Sequence, residues 1–170
     1  MLGASHTSRT RGSGPGWVTR TDPILQTEDV DDQETADRVG KAMIDRDEAI
    51  RGAGIRLLDI APGRARAGLT VTERHVNGHG IAHGGYLFLL ADAAFSFACN
   101  SRGVSTVASG GGIAFLRTAR LGDELVAEAR ETALAGRSGI YDVTVRAGGE
   151  VVAEFRGRSR AVPDLPPPYA

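Results

Sequence analysis

Residues 76–101 read VNGHGIAHGGYLFLLADAAFSFACNS. The stretch begins as a loop of Gly and His and then turns almost wholly apolar. From Gly84 to about Asn100 there is no proline, and Ala and Leu dominate. Length and composition therefore predict a helix rather than a strand. A helix apolar on nearly every face must be covered on nearly every face.

The flanking segments supply the cover. Upstream, GIRLLDIAPG (54–63) predicts a short strand closed by Pro62-Gly63. In RARAGLTVT (64–72), Ala65, Ala67, Leu69 and Val71 alternate onto one face and complete a hairpin. Downstream, VSTVASGGGIAFLRT, DELVAEARETALAG, SGIYDVTVRAGG and EVVAEFRGRSRAV predict four further strands joined by hairpins, with Gly148-Gly149 as one turn. A first helix precedes them all, DDQETADRVGKAMIDRDEAIRG (31–52). Ala36, Val39, Met43 and Ile50 recur there at helical spacing, Asp31 or Asp32 is the expected N-cap, and Gly52 and Gly54 the end. The fold class is α+β: a strongly curved antiparallel sheet wrapped around a long central helix.

Residues 1–31 are rich in Gly, Ser, Thr, Arg and Pro and are expected to be a disordered extension. The domain is expected to span 32–162, and PDLPPPYA (163–170) to form an extended Pro-rich tail. With 20 basic and 21 acidic residues, the charge balance offers no electrostatic case for nucleic acid or a membrane surface. At 5% aromatic content, stacking on single-stranded nucleic acid is not expected either. No apolar run is long enough to span a membrane, and the N-terminus lacks the apolar core of a secretory signal. The single cysteine, Cys99, rules out an internal disulfide and suits a reducing compartment, so a cytoplasmic location is expected.

Asp92 is the anomaly of the opening stretch, because a carboxylate on an apolar helix is costly to bury. Asp92, Ser96 and Asn100 fall at i, i+4 and i+8 and form one polar stripe. At the other end of the helix, glycines expose unpaired first-turn N–H groups, a donor site for an anion or a developing oxyanion. Gly84 and Asp92 are eight residues apart, about 12 Å along a helix axis. A base and an oxyanion donor must both lie roughly 3 Å from one reacting centre. If both groups are catalytic, one comes from a second copy of the chain, and antiparallel helices across a two-fold axis would supply it: a homodimer with shared sites.

Spacing alone also accommodates plainer roles. Asp92 can face solvent or hold a backbone group, His83 can cap the helix, and Asn77-Gly78 is a common turn pair. Cys99 reads as a core thiol. His75, His79 and His83 are spaced by four, but Gly78 and Gly80 between them indicate loop, and no metal is expected.

Taken whole, NGHGIAHGGYLFLLADAAFSFACNS resembles the signature of hotdog-fold acyl-CoA thioesterases, specifically the phenylacetic acid degradation (PaaI) subfamily. The pattern Asn-x5-His-Gly-Gly followed by a helical Asp is present as Asn77, His83, Gly84, Gly85 and Asp92. The resemblance extends through AFLRTARLGDELVAEA, SGIYDV and EFRGRSR, covering about residues 38–161. It implies a hotdog fold, dimers paired into homotetramers, and hydrolysis of aryl-acetyl thioesters such as phenylacetyl-CoA and its ring-hydroxylated forms. No cofactor is implied, because coenzyme A is part of the substrate. By resemblance Asp92 is the general base or nucleophile, and the Gly84 N–H is the oxyanion donor. Asn77 of the facing subunit holds water or substrate, and His83 fixes the loop. Gly85 would bind substrate, with Arg117 and Arg156 (Arg158 beside them) for the CoA phosphates. Two departures stand out: Thr118 follows Arg117 where the family often has Pro, and the glycines of SGGGIAF would widen an acyl pocket. Two alternatives stay open, a hotdog hydratase or dehydratase and a non-catalytic acyl-CoA-binding regulator. The helix after Asp92 offers no His for the first.

Overall fold

The computed structural model describes residues 23–167, with side chains from residue 31 onward. Most of the expected extension, residues 1–22, and the last three residues of the expected tail lie outside the described residues. Helix α1 (Pro23–Arg46) begins well ahead of Asp31 and Asp32, so neither caps it. The expected single helix is also two. Asp47 adopts an extended backbone and its Oδ1 accepts the Ile50 N–H at 3.0 Å, starting α2 (Glu48–Gly52). A short acidic side chain that captures a backbone N–H favours a new cap over helix continuation. The apolar face is as expected, with Ala36, Val39 and Ile50 buried and Met43 packed against the core.

Strands β1 (Arg56–Ala61) and β2 (Arg64–Thr70) form the expected hairpin, turning at Gly63 with φ +72°. The Gly63 N–H donates to Ser101 Oγ at 2.8 Å and ties this turn to the far end of the central helix. That helix, α3 (Gly84–Asn100), is followed by β3 (Thr106–Phe115), β4 (Glu124–Ala135), β5 (Ser138–Ala147) and β6 (Glu150–Ala161). The sheet order is β1-β2-β4-β5-β6-β3, with every neighbour antiparallel. One expectation fails here: β3 and β4 are not a hairpin. The chain crosses the sheet, so β3 pairs with β6 and is left as an edge strand.

The concave face closes on α3. Ala65, Ala67 and Leu69, Leu125 and Ala127, Val143 and Val145, and Ala153 and Phe155 cover Leu90, Ala94, Phe95 and Phe97, all buried. Each large side chain buried this way contributes roughly 1.5–3 kcal/mol. A Cβ on Gly157 would stand 2.7 Å from the Phe95 ring, so glycine there is what admits the ring against β6. Among the described residues no helix is long and apolar enough to cross a membrane.

Candidate active site

The loop before α3 is built on His75, a side chain only 2% exposed. Its Nδ1 accepts the Thr72 N–H at 2.9 Å, so Nε2 carries the proton and donates to Ala53 O at 3.0 Å. Its ring stands edge-on to Tyr86, centroids 4.6 Å apart, and its carbonyl accepts the His83 N–H at 2.8 Å. With both ring nitrogens taken, His75 is an anchor between loop and helix. Asn77 heads a tight turn: Oδ1 accepts the His79 N–H at 2.9 Å and its carbonyl accepts the Gly80 N–H at 2.9 Å. Its Nδ2 group has no partner among the described residues.

His83 is the N-cap of α3. Its Nδ1 accepts the Gly85 N–H at 2.9 Å, the cap that spacing allowed for. The Tyr86 N–H donates to His83 O at 2.9 Å. Gly85 is therefore satisfied internally, and the Gly84 N–H is the first-turn donor without a partner among the described residues. A Cβ on Gly84 would stand 2.9 Å from Phe115 Cζ, so that glycine also lets the Phe115 ring lie over the helix start.

Asp92 is half-buried, and among the described residues no group hydrogen-bonds its carboxylate. Burial raises its pKa above the usual carboxylate value, and the negative charge of Asp47 adds to the effect. The polar stripe divides at this point. Asn100 is structural: Nδ2 donates to Ser96 O and Thr106 O, each at 3.0 Å, and Oδ1 accepts the Thr106 N–H at 2.9 Å. It fastens the helix end to β3, whereas Asp92 fastens nothing. Cys99 is buried and its thiol is pushed up to about 12, chiefly by burial, so it is no nucleophile.

Three expected site features make the following contacts within the chain. Arg156 projects from the outer face of β6, in register with the exposed Glu154 and Arg158, and is paired to Asp142 at 2.6 and 2.7 Å. Arg117 donates to Val151 O at 3.0 Å and lies 3.4 Å from Glu150. The glycine run of β3 does not widen an inner pocket. A Cβ on Gly111 would meet the Phe155 ring at 2.8 Å and one on Gly110 would meet Arg158 at 2.9 Å, while the open space at Gly112 faces Asp142, Glu154 and Arg156. Asp47 is the charged neighbour that sequence reading missed. Its signal was an Asp three residues ahead of Ile50 inside a supposedly continuous helix. The largest depression described, about 690 Å³ around Arg56, Thr72 and Arg74, is not lined by Asp92.

One curled antiparallel sheet around one buried helix is the hotdog architecture. Among the described residues it carries a carboxylate without a hydrogen bond at mid-helix and an N–H without a partner at the helix start. The chain belongs to the thioesterase superfamily, whose family model matches residues 79–154. It is 41% identical over 122 residues to the acyl-coenzyme A thioesterase PaaI of Escherichia coli K12, covering 71% of this chain and 87% of that protein. The structure of the E. coli PaaI protein from the phenylacetic acid degradation operon superposes with a TM-score of 0.75 at 38% identity, covering 76% of this chain and 95% of that one. A Streptococcus mutans protein solved with acetyl-CoA bound gives a TM-score of 0.61 at 26% identity, covering 64% of this chain and 88% of that one.

Proposed function

We propose that this thioesterase hydrolyses (hydroxy)phenylacetyl-CoA or closely similar acyl-CoAs to the free acid and coenzyme A, at sites shared between two copies of the chain. The observation that carries the reading is Asp92: a half-buried carboxylate with a raised pKa and no hydrogen bond among the described residues, on a helix most of whose residues are in the core. Asp92 takes a proton from water, and the water oxygen attacks the thioester carbonyl carbon. The carbonyl oxygen becomes an oxyanion and accepts the Gly84 N–H of the second copy. Collapse of this intermediate breaks the carbon–sulfur bond and releases the thiolate of coenzyme A, a good leaving group. In the variant mechanism the Asp92 carboxylate attacks the carbonyl carbon directly and expels the coenzyme A thiolate, and water then cleaves the mixed anhydride to the free acid and the Asp92 carboxylate. Asn77 of the second copy holds the water or the substrate through its free Nδ2, and His83 keeps the first turn of α3 in shape.

Two features support the shared site. Gly84 and Asp92 lie on one unbroken helix of 17 residues, which separates them by about 12 Å. The outer edge of β3 is unpaired among the described residues, and Val107, Phe115 and Leu116 are exposed on or beside it. Such an edge in a single chain calls for a cover, and a second copy supplies one. In the same proposal the dimers pair into tetramers in the cytoplasm, and no cofactor is required beyond the coenzyme A of the substrate. The aryl-acetyl preference rests on the PaaI relative, whose operon serves phenylacetic acid degradation.

The test is release of free thiol from a panel of acyl-CoAs, with Asp92→Asn and Asn77→Ala alongside. Aryl-acetyl thioesters are expected to give the highest kcat/KM, and Asp92→Asn to reduce kcat by about 10²-fold or more. Unchanged turnover in Asp92→Asn would remove the mechanism.

A further inference from the structure

A second cavity lies at the opposite end of α3 from Gly84. It measures about 190 Å³ and sits between the last turn of α3, the β4–β5 hairpin and the end of β6. Its floor is Cys99, Tyr141 and Ser159, all buried, and its rim is Val104, Leu134 and Arg137, all exposed. An apolar cavity of about 150 Å³ accommodates benzene, so this one has room for a single aromatic ring or a short branched chain and none for coenzyme A.

Two polar groups there are unsatisfied. Ser159 is only 3% exposed, yet its hydroxyl has no hydrogen-bond partner among the described residues. It is not walled in by protein, since no buried side-chain N or O atom lacks a partner, so it opens onto the cavity. Arg137 is held in place by its own strand contacts: Nε donates to Ala161 O at 3.0 Å, and its carbonyl accepts the Ala161 N–H at 2.7 Å. Among the described residues its terminal guanidinium nitrogens meet no carboxylate. The other cation on the rim, Arg102, is neutralised by Glu131, which also accepts from Tyr141 at 3.0 Å. The cavity therefore presents an apolar body, one inner hydroxyl and one net positive charge at the mouth.

We propose that this cavity binds a small aryl or short-chain carboxylate, with the carboxylate on Arg137, the apolar body over Cys99, Leu134 and Tyr141, and Ser159 hydrogen-bonding a polar substituent. The ligand class follows from the cavity and does not depend on the reaction assigned to Asp92. It is also the class of acid that a thioesterase of this kind releases.

The experiment is titration calorimetry of the full chain with phenylacetate, 4-hydroxyphenylacetate and hexanoate, without coenzyme A or any thioester. Saturable binding of one ligand per chain is expected. Arg137→Gln should weaken it about tenfold or more, Arg137→Lys should recover part of the loss, and Asp92→Asn should leave it unchanged. Ser159→Ala should weaken 4-hydroxyphenylacetate more than phenylacetate. No saturable binding of any probe overturns the proposal. So does binding that Arg137→Gln and Ser159→Ala leave intact, or that Asp92→Asn abolishes, since the acid would then occupy the catalytic site. Because no turnover is measured, failure here leaves the thioesterase mechanism standing, and failure of that mechanism leaves this site standing.

Discussion

The shared site makes a quantitative prediction about mixed dimers. Asp92 and Gly84 are eight residues apart on an unbroken helix, about 12 Å along its axis, and a thioester carbonyl cannot touch both. A site built from one chain's carboxylate and the other chain's N–H can therefore be damaged from either side. Asp92→Asn removes the base. Gly84→Pro removes the N–H at the first helical position, where proline is best tolerated. His83 already has the extended backbone a following proline requires, with φ −67° and ψ 133°. Gly84→Ala is the control, because it keeps the N–H and introduces the same Cβ against Phe115 Cζ, the far end of an exposed ring. Each damaged homodimer should lose about 10²–10³-fold in kcat. Now consider the heterodimer of Asp92→Asn and Gly84→Pro chains, isolated through two different affinity tags after co-expression. One of its sites carries both lesions, and the other carries an intact Asp92 facing an intact Gly84. Its thiol release per dimer should be about half that of the wild type, far above either parent. Heterodimer activity at the level of the parents would refute the shared site and would require each chain to work alone.

Three further outcomes follow from the same contacts. Because burial and Asp47 both raise the Asp92 pKa, kcat/KM should rise with pH through a midpoint above the usual carboxylate value, and Asp47→Asn should move that midpoint down. The raised pKa also has a cost in stability. Between 3.8 and the raised value, the native state holds a proton that the unfolded chain has lost, so stability falls as pH rises through that window and stays lowered at neutral pH. Asp92→Asn should therefore melt higher than wild type at neutral pH, with the difference vanishing below about pH 4 in thermal scans. Gly157→Ala would place a methyl 2.7 Å from the Phe95 ring in the centre of the core, and chemical denaturation should show a loss of about 1–3 kcal/mol.

What could be read in the sequence and what could not divide along a physical line. The period-two faces of β2 and β5 and the apolar helix are local patterns, and burial of Ala67, Leu69, Val143 and Val145 follows from alternation alone. The position of β3 is not local. Nothing in VASGGGIAF says that it pairs with β6 instead of β4, because the pairing is decided by how far the sheet must curl to cover α3. The same distinction splits the polar stripe. Asp92 and Asn100 occupy equivalent positions on one helix face, and helical spacing alone gives no reason to separate them. Asn100 reaches the first residue of β3 and hydrogen-bonds it through both its amide groups, while Asp92 has no hydrogen bond among the described residues and gains repulsion from Asp47. A carboxylate that neither caps, pairs nor bonds among the described residues lowers the stability of the chain at neutral pH, by the sign of its pKa shift. The proposed catalytic role supplies the partner that the described residues do not, a water held against a substrate carbonyl.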